Sequence, residues 1–210
     1  MTGRLAWGTF TALVVAFLVS PLALVVAFSF NEGALTTFPL QGFSTRWYAA
    51  LLADGEFAAA FRTSLAVAVP VGLLATVTGT MAAFALSRLP ERLGGTLLFA
   101  LALPMMLPPL LLAVALVVLF VAAFGVRLGV PAVIAGHLVV TQPFVVLVVA
   151  ARLRSFDWAI VDAARDLGAT PLVAFRRVVL PLAASAIVGG ALIAAAISLD
   201  DVILSFFLIG

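Results

Sequence analysis

Few residues in this 210-residue chain could do chemistry, and their types point to recognising charge rather than to catalysis. Asp200 and Asp201 form the one adjacent acidic pair, and they close a long apolar run. Acidic groups at a membrane boundary are costly unless hydrated or paired, so they often line pathways. This pair is a natural candidate for touching a cationic solute; the alternative is that it ends a helix in water or caps the segment that follows. His137 and Gln142 lie inside another apolar run. Polar side chains there usually face protein and hydrogen-bond across helices, and a lone His without partner ligands is weak evidence for a metal or a proton relay. With no Cys, disulfides, thiolate metal sites and a cysteine nucleophile are excluded. With no Lys, there is no phosphate-binding loop ending in Lys-Ser/Thr, so the chain carries no nucleotide-hydrolysing site of that type. No serine elbow, H-E-x-x-H or pair of catalytic carboxylates is present either. The chain therefore offers no catalytic residue, no metal site and no bound cofactor.

A long polar interruption between strongly apolar runs extends from Asp157 to Pro181, D-W-A-I-V-D-A-A-R-D-L-G-A-T-P-L-V-A-F-R-R-V-V-L-P. It reads as two short helices with a hinge. Asp157 can cap the first by accepting from backbone N–H groups that lack intrahelical partners. Ile160, Ala164 and Leu167 share one stripe, and Asp162, Arg165 and Asp166 lie on another. Gly168 suits the left-handed residue that closes a helix. Thr170-Pro171 reads as N-cap and first-turn residue of the second helix, which carries Phe175, Arg176 and Arg177.

The elements that must position these residues are apolar. Hydrophobic residues make up 65% and charged residues 10% of the chain, which excludes an ordinary soluble domain. A helix needs about 20 residues to cross roughly 30 Å of hydrocarbon. Five segments qualify: Leu5–Phe30, Ser64–Leu86, Thr96–Phe124, about Pro131–Ala151 and about Val178–Leu199, and none contains Asp, Glu, Lys or Arg. The first is too long for a signal-peptide core and lacks a clear small-x-small cleavage site. All eleven basic residues are Arg, and they sit at span ends, which reads as topology rather than nucleic-acid binding. With the N-terminus inside, Arg4, Arg88, Arg92, Arg152, Arg154, Arg165, Arg176 and Arg177 are cytoplasmic, and Arg46, Arg62 and Arg127 are external. That bias places the 157–181 stretch in the cytoplasm and the 31–63 loop outside. Trp47 and Tyr48 fit an interfacial anchor, on a segment Thr45–Leu52 expected to be a surface helix.

The third span is broken by Pro104, Pro108 and Pro109. In lipid such a break survives where protein or a water-filled cavity satisfies the freed carbonyls, so Pro108 and Pro109 face other helices or a pathway, or mark a simple packing kink. Ser64, Thr76, Thr78 and Thr80, with Gly72 and Gly79, read as a close-approach face of the second span; Gly189-Gly190 and Ala194–Ala196 read similarly in the fifth. Five spans put Asp200 and Asp201 outside. The run Val202–Gly210 is too short to cross, and is expected to be a re-entrant approach or a sixth span cut off at its start, as in a C-terminally partial sequence.

Residues 162–181 resemble the EAA loop of ABC-transporter permeases of the import type, the MetI-like superfamily. That pattern is Glu-Ala-Ala, three residues, Gly, nine residues, Ile, one residue, Leu-Pro. Here Asp162-Ala163-Ala164, Gly168, Val178 and Leu180-Pro181 occupy those positions, with Asp for Glu and Val for Ile. F-S-F-N, F-S-T-R-W-Y, F-R-T-S-L-A-V-A, A-L-P-M-M-L-P-P and S-L-D-D-V-I-L-S-F-F extend the likeness, in order, to the second permease subunit of spermidine/putrescine importers. The resemblance implies an all-α, polytopic type I importer permease in the bacterial inner membrane. Its first helix and external loop would occupy 1–63 and its permease core 64–210, incomplete at the C-terminus, with a cytoplasmic coupling hairpin at 157–178. It implies a subunit that is not an enzyme, working with two ATPase subunits, a second homologous permease and an external solute-binding protein. ATP would be used by the partner and no cofactor bound here. The implied solute is a polyamine; ferric iron, phosphonate or another small solute stays open. An ion-coupled secondary transporter is the competing class, and the carboxylate-free spans count against it.

Overall fold

The computed structural model describes residues 2–210, and the described residues are almost wholly helical. The chain forms two compact units, one ending at Phe61 and one spanning Arg62–Gly210.

The first unit contains α1 (Thr2–Ser29) and α2 (Arg46–Ala53). α1 is apolar along its length, and Pro21 inside it cannot donate to the carbonyl of Phe17. The Ser20 hydroxyl donates to that carbonyl instead, at 2.9 Å, the repair expected where no water is available. The loop between the helices is folded around buried Asn31. Its side-chain carbonyl accepts from the Gln41 N–H at 2.8 Å, and its backbone carbonyl accepts from the Trp47 indole at 2.9 Å. Phe30 stacks on Phe43, and the Ser29 and Tyr48 hydroxyls pair at 2.7 Å. The expected helix at Thr45–Leu52 is α2.

The helix α3 (Gly55–Leu86) runs through the boundary between the units. It starts nine residues before the expected span, because hydropathy marks the part of a helix that needs lipid, not where its hydrogen bonding begins. Its buried residues Val67, Val71, Ala75, Gly79 and Ala83 recur every four positions, a ridge suited to helix packing. The ridge meets α6 (Val130–Arg154) and α9 (Leu180–Asp200). A Cβ on Gly79 would lie 2.9 Å from Val145, one on Gly190 3.3 Å from Val145, and one on Gly72 3.4 Å from Ala195. The small residues read from the sequence as close-approach faces thus bring three helices together. Gly189 does not take part, since a Cβ there would meet nothing within 4 Å.

The third apolar segment is α4 (Glu91–Ala102), a 3-10 turn at Leu103–Met106, and α5 (Pro109–Val118) continued by a π turn at Leu119–Ala123. The two arms are bent by 102°. Pro108 and Pro109 occupy the N-cap and first turn of α5, which explains the break. Among the described residues four helices are long and apolar enough to cross a membrane, and the bent pair is a fifth if it counts as one span. Between α6 and α9 come α7 (Ala159–Asp166) and α8 (Pro171–Ala174). A π turn at Phe175–Val179 links α8 to α9. The short α10 (Val202–Leu208) packs on α5 and α6. Two clusters of buried side chains result. One, at the hairpin end, contains Val149, Leu153, Phe156, Val161 and Val179. The other, at the far end, contains Val67, Leu112, Leu116, Val133, Leu204 and Leu208.

Candidate functional site

The 157–181 stretch folds as the two short helices its sequence predicts, by local chemistry. An Asp157 carboxylate oxygen accepts from the Ala159 N–H at 3.0 Å, with Trp158 at the N-cap position of α7. Gly168 has φ of +88°, and the N–H groups of Gly168 and Ala169 donate to the carbonyls of Arg165 and Ala164, closing α7. The Thr170 hydroxyl accepts from the Val173 N–H, and Pro171 opens α8. Of α7 only Val161 is buried. Ile160 is 47% and Leu167 91% exposed, so the apolar stripe read from the sequence is uncovered by this chain. Asp162, Ala163 and Pro181 are exposed; Ala164, Val178 and Leu180 are half-buried. Among the described residues no ion pair holds Asp162, Arg165 or Asp166. Their charges stay in solvent.

The far end differs. His137, fully buried on α6, bridges both sides of the break between α9 and α10. Its Nδ1 is 2.8 Å from the Ser198 hydroxyl and its Nε2 3.1 Å from the Ser205 hydroxyl. The Ser205 proton goes to the Asp201 carbonyl at 2.8 Å, so Ser205 accepts from Nε2–H. In a neutral imidazole Nδ1 is then the acceptor, and Ser198 donates to it. The Asp201 side chain accepts from the Leu204 N–H at 2.9 Å and caps α10. The N–H of Gly129, just before α6, donates to the carbonyl of Leu208.

These contacts make Asp201 the cap of the segment that follows, one of the readings of the pair that the sequence leaves open. Ser198 and Ser205 share a residue eight positions into the helix from Gly129, about 12 Å at 1.5 Å per residue. The Asp200–Asp201 break therefore lies beside the opening turns of α6, not past its end. A half-buried Asp201 borders a cavity of about 360 Å3, shared with Thr63 and Ser64 of α3, Ser198, Ser205 and the apolar Val67, Val133 and Phe206. Asp200 is exposed and does not line it. The lack of carboxylates within the spans is thus a weaker argument against ion coupling than the sequence indicates.

One further expectation needs correcting. Gln142 is half-buried but makes no side-chain hydrogen bond among the described residues, unlike His137. Pro108 and Pro109 are exposed in this chain, which leaves open what their face meets. Sequence reasoning also missed Ser198 and Ser205, although seven-residue spacing on either side of an acidic pair was a usable signal. It missed the contact of Phe84 and Arg88 with Trp158 as well.

Residues 75–210 match the family described as binding-protein-dependent transport system inner membrane component. The chain belongs to this family. It is 35% identical, over all of its length and 79% of the relative's, to the spermidine/putrescine transport system permease protein PotC of Escherichia coli (strain K12). It is 36% identical to the putrescine transport system permease protein PotI of the same strain, over 92% of this chain and 71% of PotI. A more distant relative, 28% identical over 77% of this chain and 58% of its own length, is the trehalose transport system permease protein SugB of Mycobacterium tuberculosis. The protein is accordingly a multi-pass inner-membrane permease component of a binding-protein-dependent transport system, and not an enzyme. Family membership, rather than any missing carboxylate, sets aside the secondary-transporter class.

Proposed function

We propose that this permease is one half of the membrane channel of an ATP-driven polyamine importer. The observation that carries the reading is the 157–178 hairpin, ordered by its own caps yet presenting Ile160, Leu167 and the charges of Asp162, Arg165 and Asp166 to solvent. A structured surface with nothing from its own chain to cover it fits a docking element for a separate ATPase subunit. The positions Asp162, Ala163, Ala164, Gly168, Val178, Leu180 and Pro181 would set that element's shape and its join to α9. Two ATPases would serve two permeases, each through one hairpin. The arginine bias favours a cytoplasmic N-terminus and hairpin, with 1–63 providing the first span and external loop and 64–210 the core.

The exposed Pro108 and Pro109 support a second permease on that face. A broken helix in hydrocarbon needs protein or water beside it, and the rest of the second unit leaves this break exposed. Asp200 and Asp201 are the solute candidates. A carboxylate beside hydroxyls in a cavity within a helical bundle suits an organic ammonium group. The polyamine assignment rests on the names of the two relatives at 35–36% identity. The test is uptake of radiolabelled putrescine and spermidine by bacteria lacking their own polyamine importers and carrying this permease with its operon partners. ATP-dependent uptake that unlabelled polyamine competes away is expected. Uptake of trehalose, ferric iron or a phosphonate with no polyamine uptake would overturn the substrate, and polyamine uptake without any ATPase would overturn the class.

A further inference from the structure

The hairpin is joined through the chain to α6 and α9, yet its aromatic side chains reach α3. Phe84 sits in the last turn of that helix. Its ring centroid is 4.9 Å from that of Phe175, edge to face, and 6.2 Å from that of Trp158. Arg88, just past the helix end, places its guanidinium 4.0 Å from the Trp158 centroid and 5.2 Å from that of Phe84. Both rings offer their negative faces to the cation, and a planar, weakly hydrated guanidinium suits such stacking. Phe156, buried, has its ring centroid 5.0 Å from that of Trp158.

The positions of these rings matter more than their number. The Trp158 carbonyl accepts from the N–H groups of Val161 and Asp162, so α7 is built directly on it. Phe175 opens the π turn through which α8 joins α9. Phe84 is therefore held by both legs of the hairpin. From Phe84, α3 continues as one helix, with Pro70 inside it, to Ser64, twenty residues or about 30 Å away, where Thr63 and Ser64 border the cavity beside Asp201.

We propose that Phe84 and Arg88 are positioning residues which, with Trp158 and Phe175, clamp the hairpin to α3 and deliver its movement to the cavity wall. The proposal rests on the reading of the hairpin as the ATPase-docking element. Without the clamp, the hairpin would move α3 only indirectly, through its packing on α6 and α9. The warrant is a contiguous set of contacts, and its test is energetic coupling rather than proximity.

The experiment uses the assembled transporter in liposomes, with its ATPases, second permease and binding protein. Phe84→Ala is expected to reduce both uptake and the ATPase stimulation by solute-loaded binding protein at least tenfold. Basal ATP hydrolysis and co-purification of the ATPase should stay at wild-type levels. Phe84→Tyr should recover most of the stimulation, and Arg88→Gln should lose two- to fivefold. Phe84→Ala/Trp158→Ala should be no worse than Phe84→Ala, since both break one unit. Because the chain has no cysteine, Phe84→Cys/Trp158→Cys can be bridged with a short bifunctional thiol reagent. Uptake restored by bridging supports the clamp and excludes misfolding as the cause of loss. Wild-type stimulation in Phe84→Ala, fully additive losses in the double variant, or no recovery on bridging overturns it. Gly168→Pro separates the two readings. If it abolishes ATPase co-purification while Phe84→Ala behaves as wild type, only the clamp falls; if Gly168→Pro leaves co-purification intact, the hairpin reading falls.

Discussion

The hairpin end and the far end of the second unit handle polarity in opposite ways. At the hairpin end the polar side chains are outside. Asp162, Arg165, Asp166, Arg176 and Arg177 are exposed, and the element is held by apolar and aromatic contacts beneath them. At the far end the polar side chains are inside. His137 and Ser198 are buried and bonded to each other, with Ser205 and Asp201 beside them. Water can solvate a charge until a partner arrives, so a docking surface can wait uncovered. A polar group between membrane-spanning helices has no such solvent and must find its partner within the fold. The first arrangement suits a surface that binds another protein; the second suits a joint that must hold its own shape.

The largest expected effect breaks the hairpin's shape while sparing the far end. Proline at position 168 cannot adopt φ of +88° and removes the N–H that donates to Arg165, so Gly168→Pro should lower uptake at least tenfold at equal permease abundance. Gly168→Ala has free space around its Cβ and pays only the left-handed backbone strain, about 1–2 kcal/mol. Its uptake should fall no more than about threefold. Initial uptake rates at matched membrane levels check both. Equal rates for the two variants would mean that hairpin shape is not what transport depends on.

The hairpin end was legible in the sequence because its determinants are local. Asp157, Gly168 and Thr170-Pro171 each act on residues within a few positions. The far end was not, because its determinants are distant. Whether Asp201 ends a span in water or caps a break beside α6 depends on Ser198 and Ser205 meeting His137, 61 and 68 residues away. The prolines of the third segment announced a break, but its 102° angle depends on the helices that α4 and α5 pack against. The clamp at Phe84 joins residues more than seventy positions apart, and an aromatic in an apolar run carries no mark of which helix it will touch.

A smaller effect is expected from the far end. His137→Leu keeps an apolar side chain in the site but removes both ring nitrogens from Ser198 and Ser205. Hydrogen bonds between membrane helices are worth about 0.6 kcal/mol on average and up to about 1.7. Losing two should cost about 1–2 kcal/mol, read as a lower thermal-unfolding midpoint of the purified transporter. ATPase co-purification should not change, since His137 lies away from the hairpin. A variant of unchanged stability that fails to hold the ATPase would reverse the roles of the two ends.

The smallest effect sharpens the comparison in the region between the ends. Thr80 is buried on α3, and its hydroxyl has no hydrogen-bond partner among the described residues. Its neighbours behave differently: the hydroxyls of Thr76 and Thr78 donate back to the carbonyls of Gly72 and Leu74. A buried hydroxyl without a partner carries a desolvation cost of about 1–3 kcal/mol in proteins. Valine has nearly the same shape and the same β-branched rotamer preference in a helix, so Thr80→Val removes the cost while keeping the packing. The expected gain is about 1 kcal/mol, or about 2–4 °C in the midpoint of thermal unfolding for a chain of this size. A fall instead of a rise would mean that the hydroxyl is bonded in the assembled transporter. The middle of α3 would then belong with the far end, as a place where polar groups are held by partners inside the membrane, and not with the passive packing of Gly72 and Gly79.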